Sequence, residues 1–393
     1  MTTGQQRALI HLDEPYTHQA VVEALKKSAL DWDVIETIPV EDQDLDAPLQ
    51  WLEYELINWS YLASRPDSAM ANAYCIRKGL IRKAQFGYNV AKYLSKNPTS
   101  ILKEAIPETW LFELDHVDYF EEAMNEVFEV ERDLLANEND ESNHMFIIKP
   151  SLANKAAGIR VFNSLEQLRT MFEENELSDS EDDDDMEDLS QVREWVIQRY
   201  IHNPLLVHGR KFHVRAYVLA VSNIKVYLYH DMLALFAMKK YNLDELSDTL
   251  VHLTNTCIQT EEEEFDEETS VRLFWDLEQH GVSKARLDTM FEKMQHVLAD
   301  VFDACASEMT TFQAMPNAFE LFGVDFLLDE NDGVYFLEAN AFPDFKQTGK
   351  QLQHVIQELF EATTTVAIEP FFTGRPQASE KLVQVYHKEL LSL

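Results

Sequence analysis

Residues 323–342 read GVDFLLDENDGVYFLEANAF, two apolar runs joined by the turn-forming segment DENDG. This pattern predicts a β-hairpin. With its tip at Asn331 and Asp332, the two runs become antiparallel neighbours. Counting outward from the tip predicts four cross-strand pairs, Leu328 with Tyr335, Phe326 with Leu337, Asp325 with Glu338, and Gly323 with Asn340.

One face of the predicted hairpin carries oxygen ligands. Side chains two residues apart share a sheet face, so Glu338 and Asn340 point the same way and Asp325 joins them. Two directly opposed carboxylates repel each other unless a cation lies between them. Oxygen-only ligands that leave positions for phosphate and water suit Mg²⁺. The alternative is a register shift that places both acids in solvent.

Residues 209–221, GRKFHVRAYVLAV, predict a strand with one apolar and one cationic face. A row of cations on a strand can also mark an exposed edge that discourages aggregation. Beside a hairpin that offers paired acids, we favour a phosphate-binding wall. The polar face comprises Lys211, His213, Arg215 and Tyr217, and the apolar face comprises Phe212, Val214, Ala216 and Val218.

Residues 146–162, FIIKPSLANKAAGIRVF, predict a strand ending at Lys149, a loop with Lys155 and Gly158, and a second strand. A lysine at a strand end before a small-residue loop can clamp phosphate. A single glycine excludes both a P-loop and a GxGxxG fingerprint. Alone, this segment is therefore a weak signal.

The charge of the chain excludes some classes of partner. Against 70 Asp and Glu there are 33 Lys and Arg, which gives a formal net charge of -37. Such a field repels nucleic acid and anionic lipid surfaces, so we expect neither nucleic acid nor a membrane as partner. Basic residues do cluster at 77–83 and 210–215, where an acidic partner could bind; the alternative is a solvated surface.

The three cysteines are Cys75, Cys257 and Cys305, far apart and without metal-ligand spacing. They indicate reduced thiols in a cytosolic compartment. No uninterrupted apolar run approaches the ~20 residues needed to span a bilayer. We therefore expect a soluble, cytoplasmic protein.

Strands alternate with helical patterns along the chain, which predicts a mixed α/β fold. RALIHL, VVEALKKSALDW and DVIETIPV predict strand, helix and strand in a small N-terminal α/β unit, residues 1–75. The segment SDSEDDDDMEDLS carries eight carboxylates and almost nothing to bury, which predicts an exposed disordered insertion over 176–190 rather than a cation site. The second acidic run, EEEEFDEE at 261–268, has the same interpretation.

Four segments, taken in order, resemble the tubulin-tyrosine ligase family, a branch of the ATP-grasp ligases: FIIKPS, VIQRYIHNPLLVHGRKFHVRAYVL, HLTNTCIQ and FGVDFLLDENDGVYFLEAN. The likeness covers roughly residues 75–350. It implies an ATP-grasp fold of α/β (α+β) class with the nucleotide between its last two domains. The expected divisions are an N-terminal domain 1–75, a central domain 76–200, a C-terminal domain 201–375 and a C-terminal helix 376–393.

The resemblance also implies a set of binding residues. Adenine would contact Gln198, Arg199 and Ile201, and the phosphates would face Lys83, Lys149, Lys211 and Arg215. Lys155 in the loop after Lys149 would also bind the nucleotide. His252, Thr254 and Asn255 would complete the nucleotide and acceptor pocket, with His213 beside the nucleotide. Asp325, Glu338 and Asn340 would hold Mg²⁺.

The implied reaction uses ATP to phosphorylate a peptide carboxylate, and the amine of a free amino acid then attacks the acyl phosphate. By family type the amino acid is tyrosine and the acceptor is the C-terminal tail of α-tubulin. Catalysis would rest on positioning and electrostatics, with Arg215 and Lys211 next to the migrating phosphoryl group.

Three positions depart from the family pattern. His213 replaces the aspartate of GRKFD, and the loop after Lys149 has fewer glycines than usual. In YHDMLALFAM, Leu235 stands where a pattern like YREGVLRT has a substrate-binding arginine, and a neutral leucine cannot hold a carboxylate. Two alternatives therefore stay open, namely an ATP-binding scaffold without tubulin ligation, and a ligase for another amino acid or peptide, such as a glutamylase or glycylase relative.

Overall fold

The computed structural model describes residues 5–38, 46–151, 157–177, 192–254, 270–349 and 351–388. The side chains of 175–177 and 347 are excepted. Several predictions lie outside these ranges, namely those for Lys155, Asn255, Cys257, the acidic run 261–268 and residues 178–190 of the predicted insertion.

The N-terminal layer is a parallel sheet in the order β2-β1-β3-β4. It contains the strand, helix and strand that the sequence predicts. Its helix begins at Pro15 behind Glu14, whose carboxylate accepts the Tyr16 and Thr17 backbone N–H groups and caps the helix. The strands are β1 Gln6–His11, β2 Trp32–Ile35, β3 Leu49–Leu52 and β4 Met70–Ala71, and the helices are Pro15–Lys26 and Trp59–Ser64.

The central layer is an antiparallel sheet in the order β5-β8-β6-β7. Helices pack on one face around Phe112, Phe172 and Trp195, which are all buried. The strands are β5 Thr109–Glu113, β6 Phe146–Pro150, β7 Arg160–Phe162 and β8 Glu194–Arg199, and the packed helices include Phe120–Glu126, Phe128–Glu138 and Leu165–Leu177.

The third layer is an eight-stranded sheet organised around one long strand, β10. Along one edge, β10 pairs with β14 over nine residue pairs, and along the other it pairs with β12 and β11. The strands are β9 Leu206–Val207, β10 Arg210–Val221, β11 Lys225–Tyr229, β12 Leu233–Phe236, β13 Val271–Leu273, β14 Phe319–Leu328, β15 Val334–Asn340 and β16 Leu382–His387.

Both faces of this large sheet are buried, as expected for a sheet at the centre of a layered fold. Val214 and Val218 on one face of β10 pack with helix Lys284–Ala306. Leu219 on the other face packs with the N-terminal layer and helix Gln353–Thr363. The remaining helices are Lys78–Ile81, Lys83–Lys96, Leu102–Ala105, Thr249–His252 and Glu369–Thr373, with 3₁₀ turns at Tyr54–Leu56, Val117–Tyr119, Phe274–His280 and Phe345–Thr348 and a π-helical segment Thr364–Ile368.

The predicted hairpin is present, but its register is right in only one half. Asp325 pairs with Glu338 and Gly323 with Asn340, as predicted. The pairing then shifts by one residue, because Leu337 is an extra residue that forms a β-bulge. The predicted pairs Leu328–Tyr335 and Phe326–Leu337 are therefore wrong, and the actual partners are Val334 and Phe336.

The prediction of a C-terminal helix over 376–393 is wrong where the structure describes it. Leu382–His387 forms strand β16, which pairs antiparallel with β11. The sequence LVQVYH is rich in β-branched and aromatic residues, and the open edge of β11 offers unpaired backbone groups. Within the described ranges, no helix is both long and apolar enough to cross a bilayer.

Candidate active site

A cleft of about 700 Å³ lies where the central sheet faces the large sheet. Strands β6 and β8 form one wall, and β10, β14 and β15 form the other. Ile147 and Ile159 on the central side and Leu327 and Leu337 on the opposite side make part of the cleft apolar. Such a mixture of apolar walls and a few convergent polar groups is typical of a small-molecule site.

Lys149 reaches the cleft from β6, and its Nζ donates a hydrogen bond to Gln198 Oε1 at 3.0 Å. Its side chain is buried, and burial lowers the pKa of Lys149 to about 8. The neighbouring charge of Lys83 lowers it further, against the opposing pull of Glu338 and Asp325. Lys149 therefore lies in an environment that lacks a fully compensating anion.

Lys211 projects from β10 into the same cleft. Its Nζ donates to the Tyr200 hydroxyl at 3.1 Å and to the His252 carbonyl at 2.9 Å. Burial lowers the pKa of Lys211 to about 7, and the charge of Lys149 adds to the effect. The Tyr200 hydroxyl also bonds His252 Nδ1 at 2.9 Å, so it links a buried lysine to a buried histidine.

The two carboxylates of the hairpin are balanced by the protein's own cations. Arg215 binds Asp325 at two points, Nε to Oδ1 at 2.6 Å and Nη2 to Oδ2 at 3.0 Å. Burial alone would raise the pKa of Asp325, but Arg215 and His213 hold it well below its usual range. Lys83 Nζ lies 3.1 Å from Glu338 Oε2. The repulsion that pointed to a metal ion is thus relieved here by Arg215 and Lys83.

The donor set nonetheless suits Mg²⁺. Asn340 Nδ2 lies 3.3 Å from Glu338 Oε1, so the amide and the carboxylates of Glu338 and Asp325 form one group of oxygen ligands. Over the described ranges, no group of three or more His, Cys, Asp or Glu side chains could hold a metal by itself. Two carboxylates and one amide fit a cation whose remaining ligands come from phosphate and water.

His213 occupies the position between the cations and the acids. Its Nδ1 lies 2.5 Å from Thr254 Oγ1, and its Nε2 lies 3.5 Å from Asp325 Oδ1. The residue directly across from it on β12 is Leu235, which is fully buried. The two departures from the family pattern are therefore neighbours on adjacent strands.

The structure brings most of the predicted residues together. Lys83, Arg215 and Asn340 do not line the cleft but contact acids that do. The Arg199 guanidinium is directed to Glu108 at 3.0 Å and Asp133 at 2.8 Å, which ties β8 to its surroundings. The predicted residues that line the cleft are Lys149, Gln198, Arg199, Ile201, Lys211, His213, His252, Thr254, Asp325 and Glu338.

Sequence reasoning missed Tyr200 and the apolar wall. Tyr200 lies between the predicted Arg199 and Ile201, and its hydroxyl is the group that Lys211 and His252 share. The one available signal was a tyrosine next to a buried strand, since a buried hydroxyl usually finds a polar partner. Ile147 could have been found by alternation, because it is two residues before Lys149 on the same strand face.

The cleft combines a cationic end with an apolar end. Lys149 and Lys211 line it, and Lys83 and Arg215 pair with its two acids, Glu338 and Asp325, so four basic groups surround two carboxylates. An excess of buried positive charge with depressed lysine pKa values is the electrostatic counterpart of a polyanionic ligand. This arrangement can hold a nucleoside triphosphate with its base against the isoleucines and leucines.

Known proteins share this sequence and architecture. A profile described as the tubulin-tyrosine ligase family matches residues 71–376. A Schizosaccharomyces pombe protein named probable tubulin--tyrosine ligase is 35% identical over 385 residues, covering 93% of this chain and 92% of its own. The Saccharomyces cerevisiae protein named probable tubulin--tyrosine ligase PBY1 is 36% identical over 390 residues, but the chain spans only about half of it, 51%.

A solved structure extends the comparison to the whole fold. It is the crystal structure of the C-terminal domain of K. lactis Pby1, described as an ATP-grasp enzyme interacting with the mRNA decapping enzyme Dcp2. The TM-score is 0.73 with 29% sequence identity, and the match covers 98% of this chain and 100% of that domain. The family profile matches most of the chain, and the crystallised domain matches the whole fold. The chain therefore belongs to the tubulin-tyrosine ligase family and is an ATP-grasp ligase.

Proposed function

We propose that the chain joins the amine of an amino acid to a peptide carboxylate at the expense of ATP, with the C-terminal tail of α-tubulin as acceptor. Tyrosine, the family's type substrate, is the first amino acid to test. The observation that carries this proposal is the excess of buried cations beside two carboxylates in one cleft. A cytoplasmic setting suits the free thiols Cys75 and Cys305.

Different residues contact the base, the phosphates and the Mg²⁺ of bound ATP. The base packs between Ile147, Ile159 and Leu327, with Gln198 fixing its edge. Lys149 and Lys211 face the phosphates as charge-assisted donors, and Arg215 adds its charge from behind Asp325. Asp325, Glu338 and Asn340 are the ligands for Mg²⁺, which when bound neutralises phosphate charge.

The reaction then has two displacement steps. An acceptor carboxylate oxygen attacks the γ-phosphorus, and the bond from that phosphorus to the β,γ-bridging oxygen breaks, giving an acyl phosphate and ADP. The lone pair of the amine attacks the acyl carbon, the bond from carbon to the phosphate oxygen breaks, and the amine proton passes to the medium. The products are an amide and inorganic phosphate, and no side-chain nucleophile is needed. Lys211 and Arg215 stabilise charge on the migrating phosphoryl group.

Exposed cations near the cleft favour an acidic acceptor despite the negative net charge of -37. Lys78 and Arg82 are exposed at the start and just after the end of the short helix Lys78–Ile81, next to Lys83, which pairs with Glu338 of the cleft. Local cations of this kind attract an acidic peptide at short range, because the remaining charges are screened beyond roughly 8–10 Å in physiological salt. These residues support a carboxylate-rich peptide as acceptor.

Incubation with Mg·ATP, detyrosinated tubulin and each labelled amino acid tests the proposal. Wild type should incorporate label, and Glu338→Gln should lower the rate by roughly 10²–10³-fold, as for removal of one preorganised charge contact. The matched control is Glu173→Gln, since Glu173 also pairs with a cation at 3.1 Å but on an exposed helix face. Incorporation no greater than in Glu338→Gln would overturn ligation of tubulin.

A second candidate is an ATP-binding subunit that does not modify tubulin. The crystallised K. lactis domain is described as interacting with Dcp2, and Leu235 and His213 remove charges that the family pattern carries. Calorimetry with ATP and a pull-down with a decapping enzyme separate the candidates. Nucleotide and decapping-enzyme binding without incorporation of any amino acid would favour this one.

A further inference from the structure

A second pocket of about 950 Å³ opens between the N-terminal layer and the large sheet. It lies beyond the carboxyl ends of β1 and β3, where Leu12, Leu52 and Glu53 line it. In the order β2-β1-β3-β4, the chain turns in opposite directions from β1 and from β3, so this is the switch point of the parallel sheet. Parallel sheets bind ligands in the crevice that such a point leaves open.

One face of β14 connects this pocket with the nucleotide cleft. Leu327 and Asp325 line the cleft, and Leu321 and Phe319 line the second pocket. These alternate residues project from the same side of the strand. Asp325 and Leu321 are four residues apart, which is about 13 Å along a strand. The two sites are therefore neighbours along one strand.

The loop that follows the hairpin closes the gap between the two sites. Residues 341–345 come directly after Asn340, and all of them line the second pocket. Pro343 lies over Gly323, where a Cβ would stand 2.7 Å from Pro343 Cβ and 3.5 Å from Arg215 Cδ. The wall of the second pocket is thus packed against the side chain that holds Asp325.

Tyr217 lies behind the wall of the second pocket and contacts it through Phe345. It is fully buried, its ring stacks on Phe345 at 5.5 Å, and its hydroxyl has no hydrogen-bond partner within the described part of the chain. A buried hydroxyl without a partner is rare in a native fold unless a ligand or water completes it.

The chemistry of the walls restricts the occupant. Lys and Arg are absent from the described lining residues, and the two cations beside that lining, Lys346 and Arg77, are paired with Glu14 and Glu320. This charge distribution disfavours an acidic side chain. Of the three acids that line the pocket, Glu14 is paired with Lys346 at 2.9 Å. Over the described ranges, Glu53 and Asp344 accept only backbone N–H groups, from Asp13 and Lys346. Phe342, two residues before Asp344, is 58% exposed. The apolar lining consists of Leu12, Trp51, Leu52, Phe319, Leu321, Ala341, Phe342, Pro343, Phe345 and Phe360.

We infer that this second pocket binds the amine co-substrate, an amine with an aromatic or large aliphatic side chain, and selects against acidic amino acids. That the bound amine is a co-substrate rests on the ligation proposed above. The apolar side chain packs against Phe319, Leu321 and Phe342, and the amine points to Asp344 and Glu53. The cationic cleft thus holds the phosphates, and the acid-rimmed pocket holds the amine.

Ligand-observed NMR on the full chain with a non-hydrolysable ATP analogue tests the pocket without turnover. The probes are phenethylamine, 3-phenylpropionate, L-tyrosine, L-leucine and L-glutamate. We expect phenethylamine and the two apolar amino acids to bind, and 3-phenylpropionate and glutamate not to bind. Phe342→Ala and Asp344→Asn should each weaken phenethylamine binding roughly tenfold. Both positions are open enough for the chain to fold, and asparagine can still cap the turn at 345.

The matched control is Phe128→Ala, because Phe128 is 55% exposed but lies on a helix of the central layer. It should leave amine binding unchanged, and all three variants should bind ATP as wild type does. Amine binding that Phe342→Ala and Asp344→Asn leave intact, or glutamate binding as tightly as tyrosine, would overturn the inference. Binding with the expected pattern but no incorporation in any acceptor would uphold the amine pocket and overturn the ligation proposed above.

Discussion

His213 on β10 and Leu235 on β12 face each other directly, and both are buried. In the family pattern that the sequence resembles, an aspartate stands at the first position and an arginine at the second. The two departures therefore amount to one replacement across neighbouring strands, in which a potential aspartate–arginine ion pair becomes a histidine opposite a leucine.

This relationship predicts coupling between the two positions. Leu235→Arg alone places a guanidinium in a buried apolar site and should lower the free energy of unfolding by about 3–5 kcal/mol. Adding His213→Asp supplies a partner, so the double variant should recover at least about 1 kcal/mol relative to the sum of the single effects. Urea unfolding of the four proteins in a double-mutant cycle measures the coupling. Additive effects would show that the positions are independent.

The two-point contact between Arg215 and Asp325 predicts that lysine cannot replace the arginine. Arg215→Lys keeps the charge but loses the planar pair of donors, and both partners are buried, so we expect the free energy of unfolding to fall by about 2–4 kcal/mol. Denaturant unfolding gives the value.

The control for that substitution is Arg286→Lys. Arg286 Nε also lies 2.6 Å from a carboxylate, Asp332 Oδ1, but about a third of each side chain is exposed. Water compensates for a lost contact there, so the expected cost is below about 1 kcal/mol. Equal losses at positions 215 and 286 would mean that burial does not decide the strength of the first pair.

The core of the site could be predicted because it depends on local alternation. The strand face of Lys211, His213 and Arg215 follows from period two, and the pairing of Asp325 with Glu338 follows from counting outward from a turn. The count is right only beyond the bulge at Leu337, where two deviations from the predicted pairing cancel. The five-residue loop between Leu328 and Val334 shifts the pairing by one residue from the predicted register. The extra residue Leu337 shifts it back.

Other features depend on contacts between distant segments, which local pattern does not encode. β16 forms because the edge of β11, more than 150 residues earlier, is open to pairing. The second pocket brings Leu12, Phe319 and Phe360 together from three separate parts of the chain. The same distance effect explains why a metal looked necessary: Lys83 could not be placed beside Glu338 from its sequence position.

The depressed lysine pKa values predict proton uptake on nucleotide binding. With pKa values of about 8 and 7, Lys149 and Lys211 are partly or largely neutral at pH 8. A bound polyphosphate raises both values towards the normal 10.5, so roughly one and a half protons should be taken up at pH 8 and almost none at pH 6. Because binding takes up protons, ATP affinity should fall as pH rises from 7 to 9.

Calorimetry of nucleotide binding in buffers of different ionisation enthalpy measures this uptake. Lys211→Met should reduce the uptake by nearly one proton, whereas Lys284→Met, at an exposed position paired with Asp288, should leave it unchanged. Proton release, or an uptake that does not depend on Lys211, would mean that the buried lysines of the free cleft are already fully charged.

Gly323→Ala should disturb the junction between the cleft and the second pocket. A Cβ at this position would meet Pro343 Cβ at 2.7 Å, and a proline ring cannot rotate away. The loop 341–345 must therefore move, which should lower the free energy of unfolding by about 1–3 kcal/mol. The same shift should weaken phenethylamine binding more than ATP binding, since that loop lines the second pocket.

Gly87→Ala is the matched control for this last substitution. Gly87 lies inside helix Lys83–Lys96, and its nearest neighbour would be Thr109 Cγ2 at an ordinary 3.5 Å. Alanine favours the helix, so the control should stabilise the protein by about 0.5–1 kcal/mol and leave amine binding unaltered. If Gly323→Ala behaved like Gly87→Ala in both measurements, Pro343 would not be held against β14, and the two sites would not share a wall.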